Sequence, residues 1–333
     1  QMCIRDSCTA LIVAAFGLLN SFEPMTHDQF ETIYKYDAVV VPKDSGSADN
    51  LSFLTDTLDK NSNVKHSMLV SQQECTVTHG SKVKDSDTNL VVPQNPEKFD
   101  EIVSLHTRKG KEELKLSDSG VMLSEKMCSE LGIKTGDKIT LNVDGKKAEV
   151  KVSGIFEQYI YNFVYMTPTA YKSLFGSDCT YNMADVALKD TSDSACDKFG
   201  SQILSDDKIA AVSYIASSLN EFRNMLNSLD MVVTVMIICA AALAFVVLYN
   251  LTNINIAERV REIATFKVLG FYNRETSSFI YKENIILTLL GIFVGLFLGN
   301  LLTGFIIQTV EVDNVMFGRD IYFTSYLYAA GLT

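Results

Sequence analysis

Reactive chemistry is what this 333-residue chain has least of. Its four histidines, His27, His66, His79 and His106, are scattered without metal-ligand spacing, and no G-x-S-x-G nucleophile turn occurs. No catalytic residue, bound metal or cofactor is therefore expected, and each histidine is expected at the surface or in a loop. A glycine-rich loop closing on Lys-Ser or Lys-Thr is also missing, so the chain cannot cradle ATP phosphates by that route. The seven cysteines are irregularly spaced, with no CxxC pair, which argues against a disulfide scaffold. Cys75, Cys128, Cys179 and Cys196 can pair in an oxidising space, but free buried thiols are the preferred expectation. Basic residues are in deficit, 29 Lys and Arg against 40 Asp and Glu. The net charge of −11 falls mainly between Glu23 and Asp230, and without a basic stripe there is no means of neutralising nucleic-acid phosphates.

Apolar sequence is what the chain has in excess, at 47% of residues, and it is concentrated. Met231 to Leu251 and Ile285 to Val310 are long enough for a bilayer core and contain no Lys, Arg, Asp or Glu, which disfavours a proton-coupled carrier. Cys8 to Leu19 is apolar but short, and Ile321 to Thr333 turns apolar where the sequence stops. Both are expected to be pieces of transmembrane helices, with a signal peptide as the alternative for the first. Residues 1–7 look like a non-native leader and are set aside.

The polar region 21–216 alternates short β-rich runs with short helical patterns, as in an α+β domain. Asp37 to Val41 reads as a strand stopped by Pro42, and Asn89 to Val92 as one stopped by Pro93. Asp49 to Lys60 places Leu51, Leu54 and Leu58 on one helical face. Val121 to Leu123 reads as a strand, followed by a helix that Ser124 can cap and Gly132 can end. Asp144-Gly145 predicts a two-residue hairpin joining Lys138–Val143 to Ala148–Val152. Thr167-Pro168 opens another helix, closed by Gly176. From Ser217 the spacing of Leu219, Phe222, Leu226 and Leu229 is helical and runs without proline or glycine into the next span, giving a stalk and second transmembrane helix over 217–252.

Residues 253–276 form a short basic loop with Arg259, Arg261, Lys267 and Arg274, expected in the cytoplasm. One crossing away, 21–216 is then extracytoplasmic. A third transmembrane helix is expected over 277–310, an outer loop over 311–320 and the start of a fourth helix over 321–333. Within the cytoplasmic loop Ile256, Val260, Ile263 and Phe266 make an apolar helix face, with Glu258, Arg259, Arg261, Glu262 and Thr265 on a polar one. An interfacial helix lying on lipid head groups is the alternative, but interleaved Glu and Arg suit a protein surface better. Gly291, Gly295 and Gly299 recur every four residues in the third span, a smooth ridge suited to helix packing in a bundle or dimer.

The run Glu258-Arg-Val-Arg-Glu-Ile-Ala-Thr-Phe-Lys-Val-Leu-Gly-Phe271 resembles the FtsX-like permease domain of MacB-type ABC transporters. Gly120 to Leu141 resembles the same family's extracytoplasmic core, and Val310 to Arg319 a second unit of long duplicated permeases, of which this would be a C-terminal portion. The resemblance implies an α-helical transmembrane bundle with an inserted α+β domain, a multi-pass protein of the plasma membrane. It also implies an ATPase-coupling role for Glu258, Arg259, Arg261, Glu262, Ile263, Lys267, Leu269 and Gly270. The expected partners are an ABC ATPase subunit that binds the ATP, membrane lipid, and a second permease unit or dimer. The expected function is that of a permease subunit, not an enzyme. It would couple ATP hydrolysis to motion of the outer domain for export or extraction of a lipid, peptide or antibiotic. The alternative is an ATP-driven regulator of a cell-wall hydrolase or of an antibiotic-sensing complex. Phe156 and Tyr159 are expected to help separate the two.

Overall fold

The computed structural model describes residues 2–44, 46–85, 87–258, 260–268, 272–311, 314–319 and 321–332. In chain order the elements are α1 (Met2–Asn20), α2 (Phe22–His27), a π-helical turn (Asp28–Ile33), β1 (Ala38–Pro42), α3 (Ala48–Lys60), β2 (Val64–His79), β3 (Lys82–Lys84) and β4 (Thr88–Pro93). A 3-10 turn (Pro96–Glu101) follows, then β5 (Val121–Ser124), α4 (Glu125–Leu131), β6 (Lys138–Val143), β7 (Lys146–Phe156), β8 (Asn162–Tyr165) and α5 (Pro168–Phe175). The last are β9 (Met183–Leu188), α6 (Asp193–Leu204), β10 (Ile209–Tyr214), α7 (Ile215–Glu258), α8 (Val260–Val268), α9 (Asn273–Val310) and α10 (Phe323–Leu332). They fall into an α/β unit, Met25–Arg223 with Val312–Met316, and a helical unit, Gln1–Pro24, Asn224–Glu311 and Phe317–Thr333.

The α/β unit has two lobes. In the first, β1, α3, β2, β9, α6 and β10 form a β-α-β-β-α-β unit whose antiparallel strands lie in the order β10-β1-β9-β2. Because side chains alternate along a strand, Ala38, Val40, Leu69, Ala184 and Val186 share one face, and α3 and α6 cover it. The leucine spacing of α3 works as its sequence predicts: Leu54 and Leu58 are buried there, each contributing about 2 kcal/mol of apolar burial.

The second lobe is inserted between β2 and β9. The 16-residue β2 pairs with β4 through Val70–Glu74 and with β6 through Cys75–Thr78. This closes a ring, β2-β4-β8-β5-β7-β6. Every strand points alternate apolar residues inward, among them Val77, Leu90, Val164, Leu123, Val152 and Leu141. Met127 of α4 and Ala170 of α5 join the same core.

Turn chemistry fixes the local joints. Asp144 and Gly145 both have positive φ, +49° and +80°, the geometry of the two-residue hairpin that pairs Val143 with Lys146. Gly132 ends α4 at φ +71°. Ser124 does not cap that helix through its side chain: its hydroxyl turns instead toward Asn162 Oδ1, 3.4 Å away, because both side chains are buried together. Thr167 does cap α5, its Oγ1 accepting from the Ala170 amide at 3.1 Å. Thr167→Ala should cost about 1 kcal/mol, measurable as roughly fivefold faster amide exchange in α5.

In the helical unit, α1 packs on α9 through small residues. Gly299 faces Val13 and Ala10, and a Cβ added at Gly299 would lie 2.6 Å from Val13 Cβ. Gly291 and Gly295 are buried on the same helix. Residues 2–7, set aside on sequence grounds as a leader, continue α1 as helix. Among the described residues two stretches are long and apolar enough to cross a membrane, Thr9–Ile33 and Thr288–Thr309. The span expected at Met231–Leu251 appears as a shorter apolar stretch, Val233–Val247, within α7. Large apolar side chains nevertheless point outward from these helices, Phe245, Phe293, Phe297 and Phe305 among them, an arrangement suited to lipid.

Candidate functional site

Two places concentrate polar groups on defined elements. The first is the connection between α7 and α9. The helix α7 ends at Glu258, α8 carries Val260–Val268, and α9 starts at Asn273. Arg259, Leu269 and Gly270 lie outside the described residues. Glu258, Glu262, Ile263 and Lys267 fall in helices, and only their backbones are described. Val260, Arg261, Ala264, Thr265 and Val268 are all exposed. Spaced at three and four, they form a single stripe. Val260 and Arg261 are thus both exposed, one from each side of the partition drawn from sequence. Thr265 Oγ1 donates to the Arg261 carbonyl at 2.9 Å, so its hydroxyl is satisfied within the helix and the guanidinium is the stripe's charged feature.

The second lies in the α/β unit, where β7 ends in Phe156-Glu157-Gln158-Tyr159. The Glu157 side chain is wholly buried. The Lys111 ammonium lies 2.7 Å from its Oε2, and the Tyr159 hydroxyl donates to Oε1 at 2.5 Å. His106 Nε2 is 2.9 Å from Oε2 but not aligned for a hydrogen bond. Burial pushes the Glu157 carboxyl up, yet its contacts with His106, Lys111 and Tyr159, together with the Lys111 charge, outweigh this and hold it down at about 2. Lys111 also reaches Asp28 Oδ2 at 3.4 Å, and Gln29 Oε1 accepts from the Tyr159 amide at 2.8 Å. The network thus ties the Asp28–Ile33 turn and the 106–111 loop to the end of β7.

Beside it, residues 314–316 attach to the same unit. Val315 bridges Ile160, the Tyr161 amide donates to the Asn314 carbonyl at 2.7 Å, and the Met316 amide donates to the Tyr159 carbonyl at 2.8 Å. The buried Lys126 ammonium donates to the Val315 carbonyl at 2.7 Å, and Asn314 Nδ2 donates to Asp87.

Several sequence expectations change here. His106 is buried at 4% exposure, because Glu157 and Ser104 engage its two ring nitrogens. Phe156 and Tyr159 are buried too, Phe156 against the Tyr165 ring at 4.9 Å, so neither offers a free surface to a substrate or partner. Glu157 and Lys111 were not anticipated: only the sheet brings positions 28, 106, 111 and 157 together. Cys75, Cys128, Cys179 and Cys196 are free thiols, and burial pushes those of Cys75 and Cys128 up to about 12. At neutral pH these two remain protonated and unreactive.

Comparison with known proteins agrees with the division into units. The MacB-like periplasmic core domain family matches residues 8–196, and the FtsX-like permease C-terminal family matches residues 234–332. No curated protein matches. Among solved structures, the periplasmic region of MacB from Actinobacillus actinomycetemcomitans is 13% identical, with a TM-score of 0.37 over 58% of this chain and 94% of that one. The extracellular domain of the noncanonic ABC-type transporter YknZ from Gram-positive bacteria is also 13% identical, with a TM-score of 0.33 over 54% of this chain and 98% of that one. A domain of a permease protein from Porphyromonas gingivalis is 14% identical, with a TM-score of 0.30 over 57% and 89%. With one family match covering more than half of the sequence and a second covering the region that carries α8, the chain belongs to the FtsX-like, MacB-type family of ABC transporter permeases.

Proposed function

We propose that this chain is the membrane subunit through which a separate ABC ATPase drives motion of the α/β unit on the outer side of the plasma membrane. The cargo class is a lipid, peptide or antibiotic that is exported or extracted. The ATPase docks on the cytoplasmic α8 stripe, and α7 carries the movement outward as a stalk. Gly291, Gly295 and Gly299 give the close helix packing that lets the helical unit move as one body.

The observation that supports this most is the exposed stripe Val260, Arg261, Ala264, Thr265 and Val268, a charged group set among small and apolar side chains inside the segment that matches the permease family. Such a mixture suits a protein groove better than head groups alone, which favour a strongly basic face.

The test is ATP hydrolysis by the partner ATPase in proteoliposomes, with and without this chain. Exchanging Arg261 and Glu262 together for alanine should lower the permease-dependent stimulation about tenfold, the size expected when one charged interface anchor is lost. Undiminished stimulation would remove α8 as the docking element.

A further inference from the structure

We infer that Asp185 is the proton-binding group of a pH-sensitive seal in the α/β unit, closing the helix-free face of the first lobe beneath a cover of aromatic side chains. Its neighbours Ala184 and Val186 point into the core under α3 and α6, so Asp185, on the alternate face, points the other way. Its cross-strand partners are Val39 of β1 and Met68 of β2. The residue is 7% exposed, and among the described residues its carboxyl has no hydrogen-bond or ion-pair partner. A carboxylate placed there would be uncompensated, whereas the neutral acid is tolerated.

The cover comes from three segments. Tyr34 and Tyr36 precede β1, with ring centroids 5.1 Å apart. Tyr165 comes from β8, and Phe99 of the Pro96–Glu101 turn lies against it at 5.2 Å. Tyr34 is also held by a bridge to Val103 and by Gln158 Nε2, 3.0 Å from its hydroxyl. The titratable groups facing Asp185 are thus Tyr34, Tyr36 and Tyr165. Burial raises all three phenols, which stay neutral. On β2, His66 lies one pair along on the same face, already engaged by Glu101 Oε2 at 3.1 Å. From β1 and β10 the face receives Val39 and Ser213, neither of which titrates. Among the described residues no neighbouring cation is left over for a carboxylate at 185.

Burial pushes the Asp185 carboxyl up to about 7. The sign follows from this. The sealed state holds the proton where an opened, hydrated carboxyl would have released it, so raising the pH from about 4 to about 7 favours opening, and the effect is complete above that. On the proposed topology the proton would come from the outer space, but the test does not depend on it.

The experiment is hydrogen exchange of residues 34–37 and 96–103 in the full chain in lipid nanodiscs from pH 5 to pH 8, corrected for intrinsic exchange. The opening equilibrium should rise roughly tenfold per pH unit between 5 and 6.5 and level off near pH 8. In Asp185→Asn it should be flat and at least about tenfold more protected than the unaltered chain at pH 5. The same pH dependence in the variant, or none in the unaltered chain, overturns the inference. As a check that needs no substitution, infrared spectra of chain carrying 13C-labelled aspartate should show a protonated-acid carbonyl band at pH 5 that fades over the same interval. A band that does not fade with the exchange also overturns it.

Discussion

Glu157→Ala is expected to cost the α/β unit about 2–3 kcal/mol at neutral pH, the penalty for taking the shared acceptor from a buried hydroxyl and from a half-exposed ammonium. The carboxylate accepts from the buried Tyr159 hydroxyl, pairs with the half-exposed Lys111 and contacts His106, so its removal leaves a buried phenol without its acceptor and Lys111 with Asp28 alone. Glu157→Gln should cost less, since the amide oxygen still accepts from Tyr159 while the charge partner of Lys111 is lost. The pH dependence has a definite sign. A carboxyl held at about 2 against an ordinary 4.5 contributes stability that is fully present above about pH 4.5 and is lost as the pH falls toward 2. The pKa difference amounts to about 3 kcal/mol. Denaturation of the full chain followed by exchange of β7 and β8 amides should show this acid loss, and Glu157→Ala should lack it. A variant as stable as the parent at pH 7 would mean that the network is solvated and mechanically idle.

The second large effect is expected at Gly120, just before β5. A Cβ there would sit well inside the van der Waals contact distance of the Lys151 carbonyl oxygen and 3.3 Å from Ser153 Cβ. The obstacle is backbone of β7, the parallel partner of β5, and cannot rotate aside as a side chain could. Gly120→Ala should therefore prise β5 from β7 and open the ring, costing about 3 kcal/mol. Gly132→Asn is the matched control. Gly132 also has a special conformation, φ +71°, but nothing lies within 4 Å of its added Cβ, and asparagine tolerates that region. Thermal unfolding of both variants should separate them clearly, and equal midpoints would contradict the steric account.

Local pattern explains which parts of this molecule were legible beforehand. The α3 leucines, the Asp144-Gly145 turn, the Thr167 cap and the Gly132 and Gly176 helix exits all depend on residues within a few positions of one another, and all lie where the sequence places them. β2 was not foreseen, because its run from Val64 to His79 mixes Lys65, Gln72, Gln73 and Glu74 with apolar residues. Both of its faces are buried over Met68–Ser71, where it lies between β9 and β4, and only one at Cys75 and Val77 beside β6, so no single alternation runs through it. The Glu157 network and Asp185 were invisible for the same reason: their partners come from segments tens of residues away. At α8 the repeat predicted a helix, and Val260–Val268 are helical, because that signal too is carried by residues three and four positions apart.

The short attachment at Asn314–Met316 has a consequence for the order of events in biosynthesis. The strand pair β1–β10 joins residues 38 and 214, so the first lobe cannot be completed until most of the unit has left the ribosome. The last piece arrives later still. Val315, which receives the Lys126 ammonium and bridges Ile160, is made only after the whole of α9. Such distant closures are slow in proportion to the chain entropy they consume. The nascent α/β unit would therefore wait for the translocation machinery to deliver the next helix before its final stitch is made, a built-in delay linking maturation of the unit to insertion of the helix that follows.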